Sequence, residues 1–270
     1  MKIHHLNCGT MCPIGQRLVN GSGSVFATGR LVCHCWLIET DLDGLILVDT
    51  GYGTECVRQR AARWGTHLNL LLRPKFDFAE TALHQIQALG FQPEEVRHII
   101  PTHLDMDHVG GLSDFPNAKV HTYRPEFDAA MARSTFFEKS RYRPIMWEHK
   151  PKWEVHDLAG EAWHGLESVR TLDKNDRVLM VPLIGHTRGH CGVAVQTSEG
   201  WALHAGDAYF YHDEMSTPPS RPWVIGQFQS QFAYDDGARR SNQSRLRELK
   251  ASNPEIRIHC AHSAVEFDAS

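Results

Sequence analysis

Apolar residues follow two rhythms along this chain. Nearly continuous apolar runs bounded by Gly, Pro, Asp or Asn predict buried strands, and apolar residues recurring every three or four positions predict helices. The runs at 31–39 (LVCHCWLIE) and 45–48 (LILV) predict a strand pair, and Asp41-Leu42-Asp43-Gly44 between them has the turn chemistry of a hairpin. Asp49-Thr50-Gly51 ends the second strand. Helices are predicted at 54–64 and 79–89, the latter carrying Leu83, Ile86 and Leu89 at helical spacing and stopped by Gly90. A short strand over 96–100 runs into Pro101-Thr102-His103, residues 119–121 predict another, and 125–133 predict a helix with Pro125 in its first turn.

The second half repeats the strand rhythm at 178–184, 191–196 and 201–205, followed by a helix over 239–251 and a last strand over 256–261. Two intervals lack a clean period. Residues 134–165 are rich in aromatics (Phe136, Phe137, Tyr142, Trp147, Trp153, Trp163), and 208–236 contain Pro218-Pro219 and Pro222; both are expected to be lid or pocket loops, with core filling an equal alternative for the first. Two sets of strands separated by helices predict an α/β (α+β) fold, a four-layer αββα sandwich. No Pro-, Gly- or Ser-rich linker divides residues 1–270, so one domain is expected.

Charge and composition remove several function classes. With 28 Lys plus Arg against 32 Asp plus Glu among 270 residues, the formal charge is −4, the opposite of the basic excess that nucleic-acid binding calls for. No apolar run approaches the roughly 18–20 residues of a membrane span. The opening Met1-Lys2-Ile3-His4-His5 lacks the charged-then-apolar layout of a secretory signal, so a cytoplasmic location is expected. Seven irregularly spaced cysteines predict reduced thiols rather than a disulfide framework. Eighteen histidines are the unusual figure, because histidine is the commonest metal ligand.

The chemistry concentrates in His103-x-Asp105-x-Asp107-His108, at the end of a predicted strand and followed by Gly110-Gly111. Extended backbone sends residues 103 and 105 to one side, and a turn into a helix lets 107 and 108 face the same cavity. Further candidates stand at later strand ends: His186 in Gly-His-Thr-Arg-Gly-His, Asp207 in His-Ala-Gly-Asp, and His262 in Cys-Ala-His. Counted from His108, the successive separations are 78, 21 and 55 residues, long enough to bring the chain back to one sandwich edge each time.

These motifs resemble the metallo-β-lactamase-fold superfamily, whose signature is His-x-His-x-Asp-His with later His, Asp and His ligands. The likeness runs from about Cys33 to His262, including Leu47-Val48-Asp49-Thr50-Gly51, and is most similar to the lactonase-like branch, N-acyl homoserine lactonases included. The resemblance implies two divalent metal ions, zinc first. His103 and His186 would hold one; Asp107, His108 and His262 the other; Asp207 would bridge them. It implies a metallo-hydrolase of a small ester, lactone or thioester with a metal-bound hydroxide as nucleophile. The catalytic residues would be Asp207 and Asp107, with Asp207 able to deliver the leaving group's proton, and Tyr209 or Tyr211 reaching a substrate carbonyl. The partner is a small molecule, with no nucleic acid and no membrane, and a homodimer fits the aromatic-rich loops.

Asp105 departs from that pattern, standing where the family has a second histidine. A third carboxylate favours a harder ion, manganese or iron(II), and Asp105 would bind directly, through water, or leave a mononuclear site at Asp107, His108, His262 and Asp207. The departure raises two alternatives: a non-haem iron oxidoreductase, as in flavodiiron proteins of this fold, whose flavin domain has no counterpart after His262, and a non-catalytic metal-binding protein. Around the ligands, Asp49 is expected to brace the turn or a ligand histidine, and His190 to support a ligand from behind or pack rather than bind metal itself. Cys260 and the N-terminal group His4, His5, Cys8 and Cys12 are read as structural, the latter packing an edge strand.

Overall fold

The structure, a computed structural model, describes residues 1–40, 44–172, 175 and 177–270. The predicted turn at Asp41-Leu42-Asp43 therefore lies outside the described residues. Alternation along the second strand explains the layering. Cys33, Cys35 and Leu37 point into one apolar cluster with Leu47, Ile86 and Ile99. Trp36 and Ile38 point the other way, into a cluster with Val48, Ile100, Val193 and Val195. A strand buried on both faces must lie between two layers, which is why its sequence reads as an almost unbroken apolar run.

The first sheet holds β1 (Lys2–Met11), β2 (Leu31–Glu39), β3 (Leu45–Val48), β4 (Pro74–Lys75), β5 (Val96–Ile100), β6 (Lys119–Tyr123) and β7 (Lys152–His156), in the order β4-β1-β2-β3-β5-β6-β7. The second holds β8 (Glu161–Trp163), β9 (Leu166–Thr171), β10 (Val178–Pro182), β11 (Cys191–Thr197), β12 (Gly200–His204) and β13 (Arg257–His259), in the order β13-β12-β11-β10-β9-β8. The cluster around Trp36 and Val193 fills the space between them. Helix Asp236–Ser252 covers the second sheet with Leu246 and Leu249, and Asp235 caps it by accepting the Ala238 N–H at 2.9 Å. The result is the four-layer αββα sandwich that the strand and helix pattern predicts.

Several elements differ from expectation. The helix predicted at 54–64 breaks at Gln59 into Gly53–Arg58 and Arg60–Trp64, and 79–89 begins as a 3₁₀ turn before helix Ala82–Ala88. The interval 134–165 contains helix Phe136–Arg141, β7 and β8 rather than only loop, and 208–236 contains helix Trp223–Phe232. Most of β1 is indeed an edge, since β4 pairs with it only at Thr10 and Met11. Its His4 bonds Glu39, and Cys8 and Cys12 are free thiols. Among the described residues, no helix is long and apolar enough to cross a membrane.

Topology puts the candidate ligands on one rim. β10 and β12 are each antiparallel to β11, and β13 is parallel to β12, so β10, β12 and β13 all end on the same side. His186, Asp207 and His262 follow those three ends. The Cys191 N–H donates to the Thr102 carbonyl at 2.9 Å, which joins the end of β5 and its His103 to the same rim.

Candidate metal centre

Asp207 sits at the middle of the rim with its two oxygens facing two different pairs of imidazoles. Oδ2 lies 3.7 Å from His103 Nε2 and 3.4 Å from His186 Nε2. Oδ1 lies 3.5 Å from His108 Nε2 and 3.2 Å from His262 Nε2. The remaining carboxylates complete each side. Asp105 Oδ2 is 3.3 Å from both His103 Nε2 and His186 Nε2. Asp107 Oδ2 is 3.8 Å from His108 Nε2 and 3.5 Å from His262 Nε2. An ion with tetrahedral bonds of about 2.0–2.1 Å separates its ligand atoms by roughly 3.3–3.4 Å. All seven predicted ligands thus come together as two four-atom sets sharing Asp207.

The donors fit metal ions on a second count. His103 Nε2, His108 Nε2 and Asp207 Oδ1 are buried polar atoms without a hydrogen-bond partner, an arrangement that native proteins otherwise avoid. Their opposite edges are fixed. His103 Nδ1 bonds Thr102 Oγ1 at 3.0 Å, His108 Nδ1 bonds Asp49 Oδ2 at 2.8 Å, and His262 Nδ1 donates to the Val32 carbonyl at 2.8 Å. With each Nδ1 carrying the proton, each Nε2 presents a lone pair to the centre.

Local backbone makes this possible. Asp49 takes the left-handed conformation at φ 56°, which turns its carboxylate onto Thr102 and His108. Gly206 has φ 54°, and a Cβ there would lie 2.6 Å from His190 Nε2. That contact serves a purpose: His190 gives its Nδ1–H to the Leu183 carbonyl and accepts the Asp207 N–H on Nε2 at 2.9 Å. His190 therefore holds Asp207 from behind, as expected.

The electrostatics follow from three carboxylates among four imidazoles. Burial opposes ionisation of Asp105, yet the Arg141 guanidinium and His103 hold its carboxyl well below the usual range. Burial is likewise overcome at Asp207 by His262 and His108, which hold it well below the usual range. Burial would lower His108, but Asp207 and Asp49 raise it well above its ordinary value. An anionic field strong enough to do this attracts any cation that fits. Asp207 turns one oxygen to each pair of imidazoles and so faces both donor sets.

Other expectations need correction. Tyr209 is fully buried in the core of the second sheet, its hydroxyl donating to Glu266 at 3.0 Å, so it does not reach a substrate. The neighbouring Phe210 takes the cavity-facing position, its ring centroid 5.1 Å from that of His262. Tyr211 packs at a tilt against His212, with ring centroids 4.2 Å apart, and does not line the cavity. Cys260, by contrast, packs in the second sheet's core, as its structural reading had it. Of the aromatics in the two intervals, Phe137, Phe210, Phe228 and Phe232 line the cavity, whereas Trp147 and Trp153 pack against each other and the first sheet's core and Trp223 is 75% exposed.

Three residues escaped sequence reading. Buried Glu126 accepts the N–H groups of Leu104 and Gly189 and the Tyr142 hydroxyl, tying together the two ligand loops. Arg141 Nε lies 3.4 Å from Asp105 Oδ1, while its terminal nitrogens donate to the carbonyls of His186 and Phe232. Cys33 Sγ lies within 4.8 Å of ligand atoms of Asp107 and His262. The alternation of β2 placed Cys33 on one face, but nothing in the sequence said which.

Above the centre opens a cavity of about 440 Å³, walled by Met11, Leu31, Leu68, Ile225, Phe228 and Phe232. Asp105, Asp107, His186, Asp207 and His262 supply its polar end.

A family model described as the metallo-beta-lactamase superfamily matches residues 28–262. The chain belongs to that superfamily. It is 40% identical over 265 residues to the probable metallo-hydrolase of Mycobacterium tuberculosis (strain ATCC 25618 / H37Rv), a match covering 97% of this chain and 80% of that protein. It is 31% identical over 192 residues to an N-acyl homoserine lactonase of Bacillus sp, covering 69% of each. Among solved structures, an N-acyl homoserine lactone hydrolase with the product N-hexanoyl-L-homoserine at its catalytic metal centre superposes with a TM-score of 0.75 at 21% identity, covering 100% of this chain and 96% of that one. AidC, a dizinc quorum-quenching lactonase, gives a TM-score of 0.64 at 16% identity, covering 97% and 87%. Membership of this superfamily, with a metallo-hydrolase as a relative along nearly the whole chain, supports an enzyme with hydrolase activity.

Proposed function

We propose that this chain hydrolyses an ester or lactone bearing an apolar acyl group, using two divalent ions, zinc first. His103, Asp105 and His186 would hold one, Asp107, His108 and His262 the other, and Asp207 both. When bound, such ions acidify a water molecule and polarise the carbonyl it attacks. The single observation that carries this reading is the pair of four-atom donor sets, joined through Asp207, at the polar end of an apolar cavity.

The chain's own groups divide the remaining tasks. The apolar walls bind the acyl chain, exclude water and orient the carbonyl toward the centre. Asp107 lines the cavity and is less buried than Asp207, which suits it to hold the proton destined for the leaving alkoxide. Relatives named as N-acyl homoserine lactonases support a lactone as the substrate class. The complete first set, with Asp105 in place, favours this reading over a protein with a lost first site. Ile14 and Leu71 line the cavity yet are 63% and 56% exposed, which supports a homodimer covering them.

A series of lactones and esters with lengthening acyl chains tests the proposal. Burying each methylene contributes about 0.8 kcal/mol, so kcat/KM should rise by about fourfold per carbon until the cavity is filled. A rate independent of chain length would contradict the assigned pocket, and no hydrolysis of any member in metal-loaded protein would contradict the reaction class.

A further inference from the structure

Three carboxylates, Asp105, Asp107 and Asp207, contribute to the two donor sets, and among the described residues only Asp105 has an arginine beside it. Arg141 is 7% exposed, with Nε 3.4 Å from Asp105 Oδ1. The other oxygen of Asp105 is the one that faces His103 and His186. The carboxylate thus lies between a fixed cation on one side, in ion-pair range without a hydrogen bond, and the proposed ion position on the other. Arg141 is fixed in turn by its hydrogen bonds to the backbone carbonyls of His186, itself a ligand, and Phe232, at the end of a cavity-wall helix. A buried guanidinium this close to a dication would repel it unless an anion lay between them.

We infer that Arg141 is a positioning residue for the first ion: it neutralises Asp105 and fixes its Oδ2 toward the donor set, so that the carboxylate–guanidinium pair stands in for one neutral imidazole. This rests on the binuclear reading above. The pair contributes no net charge to the first set, which therefore keeps the charge of a set with a third histidine, and the hard-ion preference expected from Asp105 alone is offset. The same hydrogen bonds link the ligand loop at His186 to the wall at Phe232, so the ion and the cavity wall share one anchor.

The inference makes a directional prediction about exchanging Asp105 for the residue that ordinarily ligates zinc. Equilibrium titration of chelator-stripped protein with Co²⁺, followed by visible absorption and calorimetry, compares wild type with Asp105→His, Asp105→His/Arg141→Gln and Asp105→His/Arg141→Lys. Circular dichroism of each stripped variant reports folding. Asp105→His alone leaves Arg141 unpaired beside the ion and should weaken the first site by at least about tenfold, although histidine is a good ligand. Arg141→Gln in that background removes the charge while keeping a polar side chain, and should restore affinity to within about threefold of wild type. Arg141→Lys keeps the charge and should not restore it. Tight binding of two ions by Asp105→His alone, or equal behaviour of the Gln and Lys double variants, would overturn the inference. Wild-type protein that binds fewer than two ions would instead overturn the binuclear reading beneath it.

Discussion

Asp49 Oδ2 lies 2.8 Å from Nδ1 of His108, and the same carboxylate accepts the backbone N–H and the hydroxyl of Thr102 at 2.7 and 3.0 Å. Because the Thr102 hydroxyl also bonds His103 Nδ1, one buried carboxylate orients a ligand in each donor set. Asp49→Asn keeps the size and removes the charge. Outer partners of ligating histidines typically contribute 10–100-fold to metal affinity, so the variant should lose about that much at the second site and less at the first. Calorimetric titration measures both, and unaltered affinities would show that Asp49 merely shapes the turn.

Gly206 has no room for a side chain. At φ 54° a Cβ would meet His190 Nε2 at 2.6 Å and Thr102 Cβ at 2.8 Å, both of which belong to the supports of the centre. Gly206→Ala should cost at least about 1–2 kcal/mol through the left-handed backbone alone. Relief of the clash should also shift Asp207, so metal retention should fall along with the unfolding midpoint. A variant destabilised but still holding two ions would show that Asp207 does not depend on this approach.

Away from the centre, His5, His34, His204 and His259 cluster with Trp36 beneath the rim. Burial, reinforced by His204 and Arg257, lowers His5 to about 4, and burial together with His5 and His204 lowers His259 to about 3. Unfolded histidine titrates near 6.5, so between that pH and the folded values the unfolded chain binds more protons. Stability contributed by keeping these rings neutral is therefore complete above about pH 6.5 and is lost as the pH falls toward about 4. His259 Nδ1 has no hydrogen-bond partner, so His259→Leu removes one titrating ring at little cost near neutral pH. Urea midpoints of the variant should decline less steeply than wild type between about pH 6.5 and 4; parallel declines would place the acid sensitivity elsewhere.

Sequence pattern and spacing carried most of the fold, and the seven residues that the resemblance offered as ligands come together at one rim. The strands of the two sheets' centres are apolar on both faces, and the ligands sit at their ends, so local runs sufficed for both. The half-exposed strand Lys152–His156 gave no such run, and helix Trp223–Phe232 is preceded by prolines and interrupted by Gly226. The choice between Tyr209 and Phe210 depends on one residue of rotation after a 3₁₀ turn, which periodicity does not resolve. Arg141 and Glu126 act across long separations: Arg141 meets a carboxylate 36 positions earlier, and Glu126 accepts the N–H of Gly189, 63 positions later. Their sequence contexts, the last and first turns of ordinary helices, are those in which basic and acidic residues are common anyway.

The central claim is that two ions bind between His103, His108, His186 and His262 and that hydrolysis depends on them. Titration of chelator-stripped protein with Zn²⁺, following bound metal and lactone hydrolysis in the same samples, tests it most directly. Two equivalents per chain should bind, and activity should appear as they do. Full activity in the stripped protein, or saturation without any bound zinc, would contradict it.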